Sequence, residues 1–177
     1  MNDQWVVYIS KEKIAQTVQA LAAEIDRDYV GRSLVVVTVL KGAFIFVADL
    51  IRALKTPVDR VELLRLSSYG AGTESSGEVR VLVELPPGAV TNQHVLLVED
   101  IVDSGRSTTV ALNLLKAQQP ASIKLCSLLS KPERRVVPVD IDYCGITIED
   151  KFVIGYGLDW DERYRDLPDI YAIESVE

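Results

Sequence analysis

The feature that most constrains this chain is an uninterrupted run of β-branched and apolar residues, Leu34 to Leu40. Its one polar residue is the β-branched Thr38, where a strand with one wet face would alternate polar and apolar residues, so the run reads as a strand buried on both faces. Ile123 to Leu129, though it includes Lys124 and Ser127, is again a buried-type strand, and Val95 to Glu99 is a third strand. Between and around them the spacing changes to a helical one. Ile14, Val18, Leu21 and Ile25 predict an amphipathic helix over residues 11–27, with Ser10 as its N-cap. Ala43 to Leu54 and Thr108 to Gln118 predict two more helices, the last ending before Pro120. Further strands are expected at Val61–Leu66 and Val79–Glu84, and near Asp142–Cys144, Phe152–Tyr156 and Ile170–Ile173. Such alternation predicts an α/β fold, a central, mostly parallel sheet flanked by helices. Ligands of such sheets bind at the carboxyl ends of the strands, where the topology switches.

At 177 residues, with 48% hydrophobic and 25% charged residues, the chain has the size of one domain, residues 1–177. Two cysteines, Cys126 and Cys144, make neither a disulfide framework nor a zinc motif, which favours a reduced, cytoplasmic protein. A net charge of −7 argues against nucleic acid as a partner, since that affinity comes mainly from Lys and Arg on phosphates. No secretory leader and no apolar stretch of membrane-spanning length is expected, and so no membrane partner. The single His94 leaves little room for a His-rich metal site or a Ser-His-Asp triad. Residues 67–78 are rich in Ser, Gly and Glu without apolar period and predict a flexible loop.

The chemistry is concentrated in Val95-Leu96-Leu97-Val98-Glu99-Asp100-Ile101-Val102-Asp103-Ser104-Gly105-Arg106-Ser107-Thr108. A buried strand runs into two adjacent acids, a third follows three residues on, and then come small residues and a helix start. Burying neighbouring carboxylates is costly, so acids at such a place meet hydroxyls, a cation or water. Ser104 to Thr108 can wrap backbone N–H groups around an anion with the positive end of a helix behind them. Glu99 and Asp100 would then face sugar hydroxyls and the 104–108 loop a phosphate. There is no GxxxxGK[ST] and no GxGxxG. A phospho-acceptor receiver domain would need its acid pair near the start of the domain, not at residue 99.

This segment resembles the signature of the type I phosphoribosyltransferases, which bind 5-phosphoribosyl 1-pyrophosphate (PRPP). Other segments resemble the hypoxanthine–guanine branch of that family: Val39-Leu40-Lys41-Gly42-Ala43-Phe44, Leu66-Ser67-Ser68-Tyr69-Gly70, Leu128-Leu129-Ser130-Lys131, and Asp150 to Asp159 continuing to Pro168. The resemblance implies transfer of 5-phosphoribose from PRPP to N9 of a 6-oxopurine base, hypoxanthine or guanine, with release of pyrophosphate, in purine salvage. Asp103 would be the general base near N7. PRPP would be held by Lys41, Gly42, Glu99, Asp100, Asp103, Ser104, Gly105, Arg106, Ser107, Thr108 and Arg165. Lys131, Phe152 and Val153 would bind the purine, and Ser68 and Tyr69 would close over the site. Mg²⁺ would be held by Glu99, Asp100 and Asp159. A non-proline cis peptide is implied at Leu40–Lys41 or Lys41–Gly42. A small hood is expected from residues 1–10 and 145–177, and a homodimer or homotetramer, with helix Ala43–Leu54 as one candidate interface. The rivals are a xanthine-preferring relative and a regulator of the same fold that binds RNA; the net charge of −7 and the intact Asp103, Lys131 and Asp159 argue against the second.

Overall fold

In the computed structural model, residues 4–68 and 79–174 are described. Six strands make one sheet in the order β4-β3-β2-β5-β6-β7: β2 (Leu34–Leu40), β3 (Val58–Ser68), β4 (Val79–Val83), β5 (His94–Val102), β6 (Ser122–Ser130) and β7 (Tyr143–Thr147). All neighbours are parallel except β4, which runs antiparallel to β3 at the edge. The helices α1 (Lys11–Asp28), α2 (Phe44–Ala53) and α3 (Arg106–Ala117) cover it.

The apolar runs have a direct cause. Along β2, Val36 packs with Leu96, Val98 and Leu128 in one core that includes Ile14, Val18, Leu21 and Ile25 of α1 and Phe46, Val47 and Leu50 of α2. Val35 and Val37 point the other way, into a second core with Leu97, Leu64 and Leu125 and with Ala111 and Leu115 of α3. Because side chains alternate across a strand, a strand covered on both faces turns apolar side chains to both, and the one polar residue of β2, Thr38, is buried with its hydroxyl donating to the Val98 carbonyl at 3.4 Å. Each such side chain contributes about 1.5–3 kcal/mol on leaving water.

Ser10 caps α1 as expected, its Oγ accepting from Lys13 N at 3.3 Å. Other boundaries differ from expectation. Strand β5 continues through Val102, so Glu99 and Asp100 are still in the ladder: Glu99 pairs with Ser127 and Val102 with Ser130. Helix α3 begins at Arg106, two residues before the expected start, because Gly105 at φ +82 makes the turn that an L side chain resists. Strand β3 runs on to Ser68, so Ser67 and Ser68 are strand, while Tyr69 and the rest of the predicted loop lie outside the described residues. A first strand, β1 (Gln4–Ile9), was not visible in the periodicity. It pairs antiparallel with β9 (Ile170–Glu174), which also pairs with the short β8 (Val153–Ile154). This three-stranded sheet is the hood, built from both ends of the chain, and Lys11 N ties it to α1 through Asp169 Oδ1 at 2.6 Å.

Strand β2 is followed in sequence by β3 on one side but lies against β5 on the other. The topology therefore switches between β2 and β5, and the loops after Leu40 and after Val102 splay apart there.

Candidate active site

A cleft of about 900 Å³ opens at that switch point. Its floor comes from the ends of β2 and β5 and from the start of α3, and its far wall from Lys131, Arg134 and Asp150 and from the hood residues Phe152, Val153 and Trp160.

The loop after β2 carries a cis peptide between Leu40 and Lys41. It brings Gly42 against the side chain of Asp100, so closely that a Cβ would overlap the carboxylate. The two acids of β5 diverge because they alternate along a strand. Glu99 is buried and accepts from the Thr108 hydroxyl at 3.2 Å. Burial, with Asp100 adding to it, pushes its carboxyl well above the usual range. Asp100 accepts from Ile101 N at 2.9 Å, and desolvation raises it to about 6 in spite of that hydrogen bond.

Asp103 is the first residue past the ladder. Arg134 Nε stands 3.1 Å from its Oδ1, yet without hydrogen-bond alignment, so this carboxylate oxygen keeps its lone pairs for another donor. Ser104, Gly105, Ser107 and Thr108 line the cleft, and α3 meets it with its N-terminus, where the N-cap Gly105 has no side chain and Ser104 Oγ accepts from Arg106 N at a long 3.4 Å. The remaining free N–H groups of a helix start favour an anion. Arg106 stands in the first turn of α3 and is not part of the cleft lining.

Lys131 is no surface lysine. It follows β6 directly and is only 6% exposed, and burial lowers its ammonium below the usual lysine range, partly offset by Asp103 and Asp150. Its Nζ lies 4.0 Å from Asp150 Oδ1, and Arg134 Nη1 lies 3.6 Å from the same oxygen. Facing these charges are two aromatic rings left half open to solvent, Phe152 and Trp160, with centroids 6.4 Å apart. Trp5 of β1 backs both, at 6.5 and 5.7 Å. Open aromatic faces beside a buried cation suit a flat, polar-edged ring.

A second cluster stands next to Asp100. Lys41 Nζ pairs with both carboxylate oxygens of Glu162 at 2.8 Å. Arg165 Nη2 lies 2.8 Å from Asp159 Oδ1 and 3.3 Å from Glu162 Oε2, and its Nη1 donates to Gly157 O at 2.7 Å. Asp100 feels both Arg165 and Asp159. Among the described residues, no three acidic, His or Cys side chains converge on one point. Asp100 and Asp159 do offer hard oxygen donors of the kind Mg²⁺ uses when it takes one or two carboxylates and completes its shell with substrate phosphate and water.

Arg134 and Arg135 had no signal in the sequence that marked them as site residues, and Asp150 and Glu162 lie in the segment from Asp150 to Pro168 that carries the family resemblance but were given no role of their own. Their places depend on which segments meet across the cleft.

The phosphoribosyl transferase domain family matches residues 8–161. The chain belongs to that family, in its hypoxanthine–guanine branch. It is 44% identical over 174 residues to a hypoxanthine-guanine phosphoribosyltransferase of Mycobacterium avium, covering 95% of this chain and 85% of that protein. A hypoxanthine phosphoribosyltransferase structure from Staphylococcus aureus superposes with a TM-score of 0.88 at 37% identity, covering 96% of this chain and 91% of that one. The Trypanosoma cruzi enzyme in complex with the product IMP gives 0.86 at 39% identity, covering 98% and 94%. The bifunctional protein TilS/HprT of Listeria innocua is 42% identical over 167 residues, and there the chain spans about a quarter of the relative's length, 26%. Among the described residues, no helix is long and apolar enough to cross a membrane.

Proposed function

We propose that this phosphoribosyltransferase transfers 5-phosphoribose from PRPP to N9 of hypoxanthine, and of guanine, for purine salvage in the cytoplasm. The observation that carries this reading is the presence of Asp103 and buried Lys131 on one cleft that also holds the start of α3. In the reaction the bond from C1′ to the pyrophosphate oxygen breaks and the bond from C1′ to N9 forms. Asp103 takes the proton from N7 as the ring becomes the nucleophile. Lys131 donates to O6, which a 6-amino purine cannot accept, and Phe152 stacks on the ring while the Val153 carbonyl takes the 2-amino group of guanine.

Backbone N–H groups of 104–108, with the Ser104, Ser107 and Thr108 hydroxyls, hold the 5-phosphate, and Glu99 and Asp100 face the ribose hydroxyls. Lys41, Gly42 and Arg165 hold pyrophosphate, with Arg106 contributing positive charge behind the phosphate loop. Mg²⁺, held through Asp100 and Asp159 with Glu99 behind them, would supply charge neutralisation for the departing pyrophosphate. Ser68 and Tyr69 close the site against water. The chain acts as a homodimer or homotetramer.

The deciding assay offers purified protein PRPP and Mg²⁺ with hypoxanthine, guanine, xanthine, adenine or uracil, followed by absorbance. Turnover with hypoxanthine and guanine is expected. Turnover with xanthine alone would replace the reading by the xanthine-preferring one, and none with any 6-oxopurine would end it. Asp103→Asn should lower kcat by about 10²-fold.

A further inference from the structure

The turn that carries Asp103 leaves the sheet at Val102, whose pairing with Ser130 is the last rung of the β5–β6 ladder. Backbone carbonyls beyond a last rung have no ladder donor and must find one elsewhere. Here the Asp103 carbonyl finds it in the Arg135 guanidinium, which also reaches the Val102 carbonyl beside Lys131 N. Arg135 donates from Nε to the Asp103 carbonyl at 2.9 Å, and from Nη2 to the Val102 carbonyl at 3.0 Å and to Ser130 Oγ at 3.1 Å. Its Nη1 donates to the Val139 carbonyl at 3.2 Å.

The main chain beside Arg135 extends the same grip. Val136 N and Val137 N both donate to the Ser104 carbonyl at 3.0 Å, and Lys131 N donates to the Val102 carbonyl at 3.0 Å. Gly105 lies flat on this strap: a Cβ there would overlap the Val137 carbonyl and come to 3.0 Å from Arg135 Cδ.

We propose that Arg135 is a positioning residue for phosphoribosyl transfer. It sets the backbone of Val102 and Asp103, and through it the place of the Asp103 carboxylate in the cleft. The inference rests on the reading of Asp103 as the base. Three observations separate this role from general support of the fold. The β5 strand is already held by β2 and β6 on either side, so the sheet does not need Arg135 to form. The contact to the Asp103 carbonyl is the first restraint past the last rung. And a planar fork reaches two consecutive carbonyls at once, which the point charge of a lysine cannot do.

The test is a mutant cycle. Arg135→Lys and Ser130→Ala are made alone and in the Asp103→Asn background, and kcat, the KM for PRPP and the melting temperature are measured at saturating Mg²⁺. With wild-type Asp103, Arg135→Lys should lower kcat about tenfold and Ser130→Ala two- to threefold. In Asp103→Asn, each should change kcat less than twofold, because the group they position is gone. Equal losses in both backgrounds, or an unchanged kcat in a folded Arg135→Lys protein, would overturn the inference. Should Arg135→Lys fail to fold, Ser130→Ala decides by the same comparison. An Asp103→Asn protein with wild-type kcat would instead remove Asp103 as the base, a failure seen without reference to Arg135.

Discussion

Gly42 lies against the carboxylate of Asp100, in a space that leaves no room for a Cβ between them. This contact joins the loop after β2 to the end of β5, the two strands between which the topology switches. If the loop holds pyrophosphate and the acid holds Mg²⁺, as proposed, this contact fixes where the two would meet.

Gly42→Ala should therefore displace either the loop or Asp100. Small displacements of positioned groups are costly, so kcat/KM for PRPP should fall about 10²-fold. Steady-state kinetics would check this, with circular dichroism to show that the sheet is intact. Wild-type kinetics would mean that the Asp100 side chain simply turns away.

Glu162 holds Lys41 through both oxygens and also lies against Arg165, so a carboxylate sits on the two cations assigned to pyrophosphate. On the proposed reading it would compete with PRPP. An exposed pair of this kind is worth about 0–1 kcal/mol. Glu162→Gln should lower the KM for PRPP by up to about fivefold with little change in kcat. A raised KM would show that Glu162 orients the cations instead.

Lys131 is pushed down by burial and held up in part by Asp103 and Asp150. The donation to O6 proposed for it should be lost as pH rises, at a pH below that of an ordinary lysine. Removing a nearby anion disfavours the ammonium, so Asp150→Asn should move the alkaline fall of kcat/KM for hypoxanthine to lower pH. Comparing the two proteins cancels the ionisation of the base itself. Superimposable alkaline limbs would exclude Asp150 from this role.

Far from the cleft, Asp26 accepts from Thr56 N at 2.8 Å, from Thr56 Oγ1 at 2.7 Å and from Lys55 N at 3.0 Å. Burial raises its carboxyl, but these bonds outweigh it and leave the group below the usual range. A folded-state value below the unfolded one contributes stability above the unfolded value, and the contribution is lost as pH falls through the folded one. Asp26→Asn should cost about 1–3 kcal/mol at pH 7. Thermal melts should show the difference between the proteins shrinking below pH 4 or so. A gap that persists at low pH would point to packing.

The layered α/β architecture, the cap at Ser10 and the acid-to-small-residue segment at Glu99–Thr108 were all legible in the sequence, because each depends on neighbours within a few residues. Period, capping and strand-end acids are local physics. Local reasoning stopped where local signals were weak. β1 has no partner nearer than β9, at the other end of the chain, and its residues carry no periodicity of their own. The start of α3 depended on a left-handed Gly105 whose need is set by Val137 and Arg135 packed across it.

Lys131 shows the same division within one residue. Its place after a buried strand is written in the chain, but its burial and its company, Asp150 and Arg134, come from the way the 131–135 turn and the hood close on the cleft. So it is with Arg135, an unremarked arginine in the sequence that binds four oxygens from four different residues in the fold. By itself the sequence determined which elements form and which side chains are chemically suited to the reaction. Only the tertiary structure decided which of those groups face one another, because hydrogen bonds and ion pairs act over a few ångströms and segments far apart in the chain come within that range only through packing.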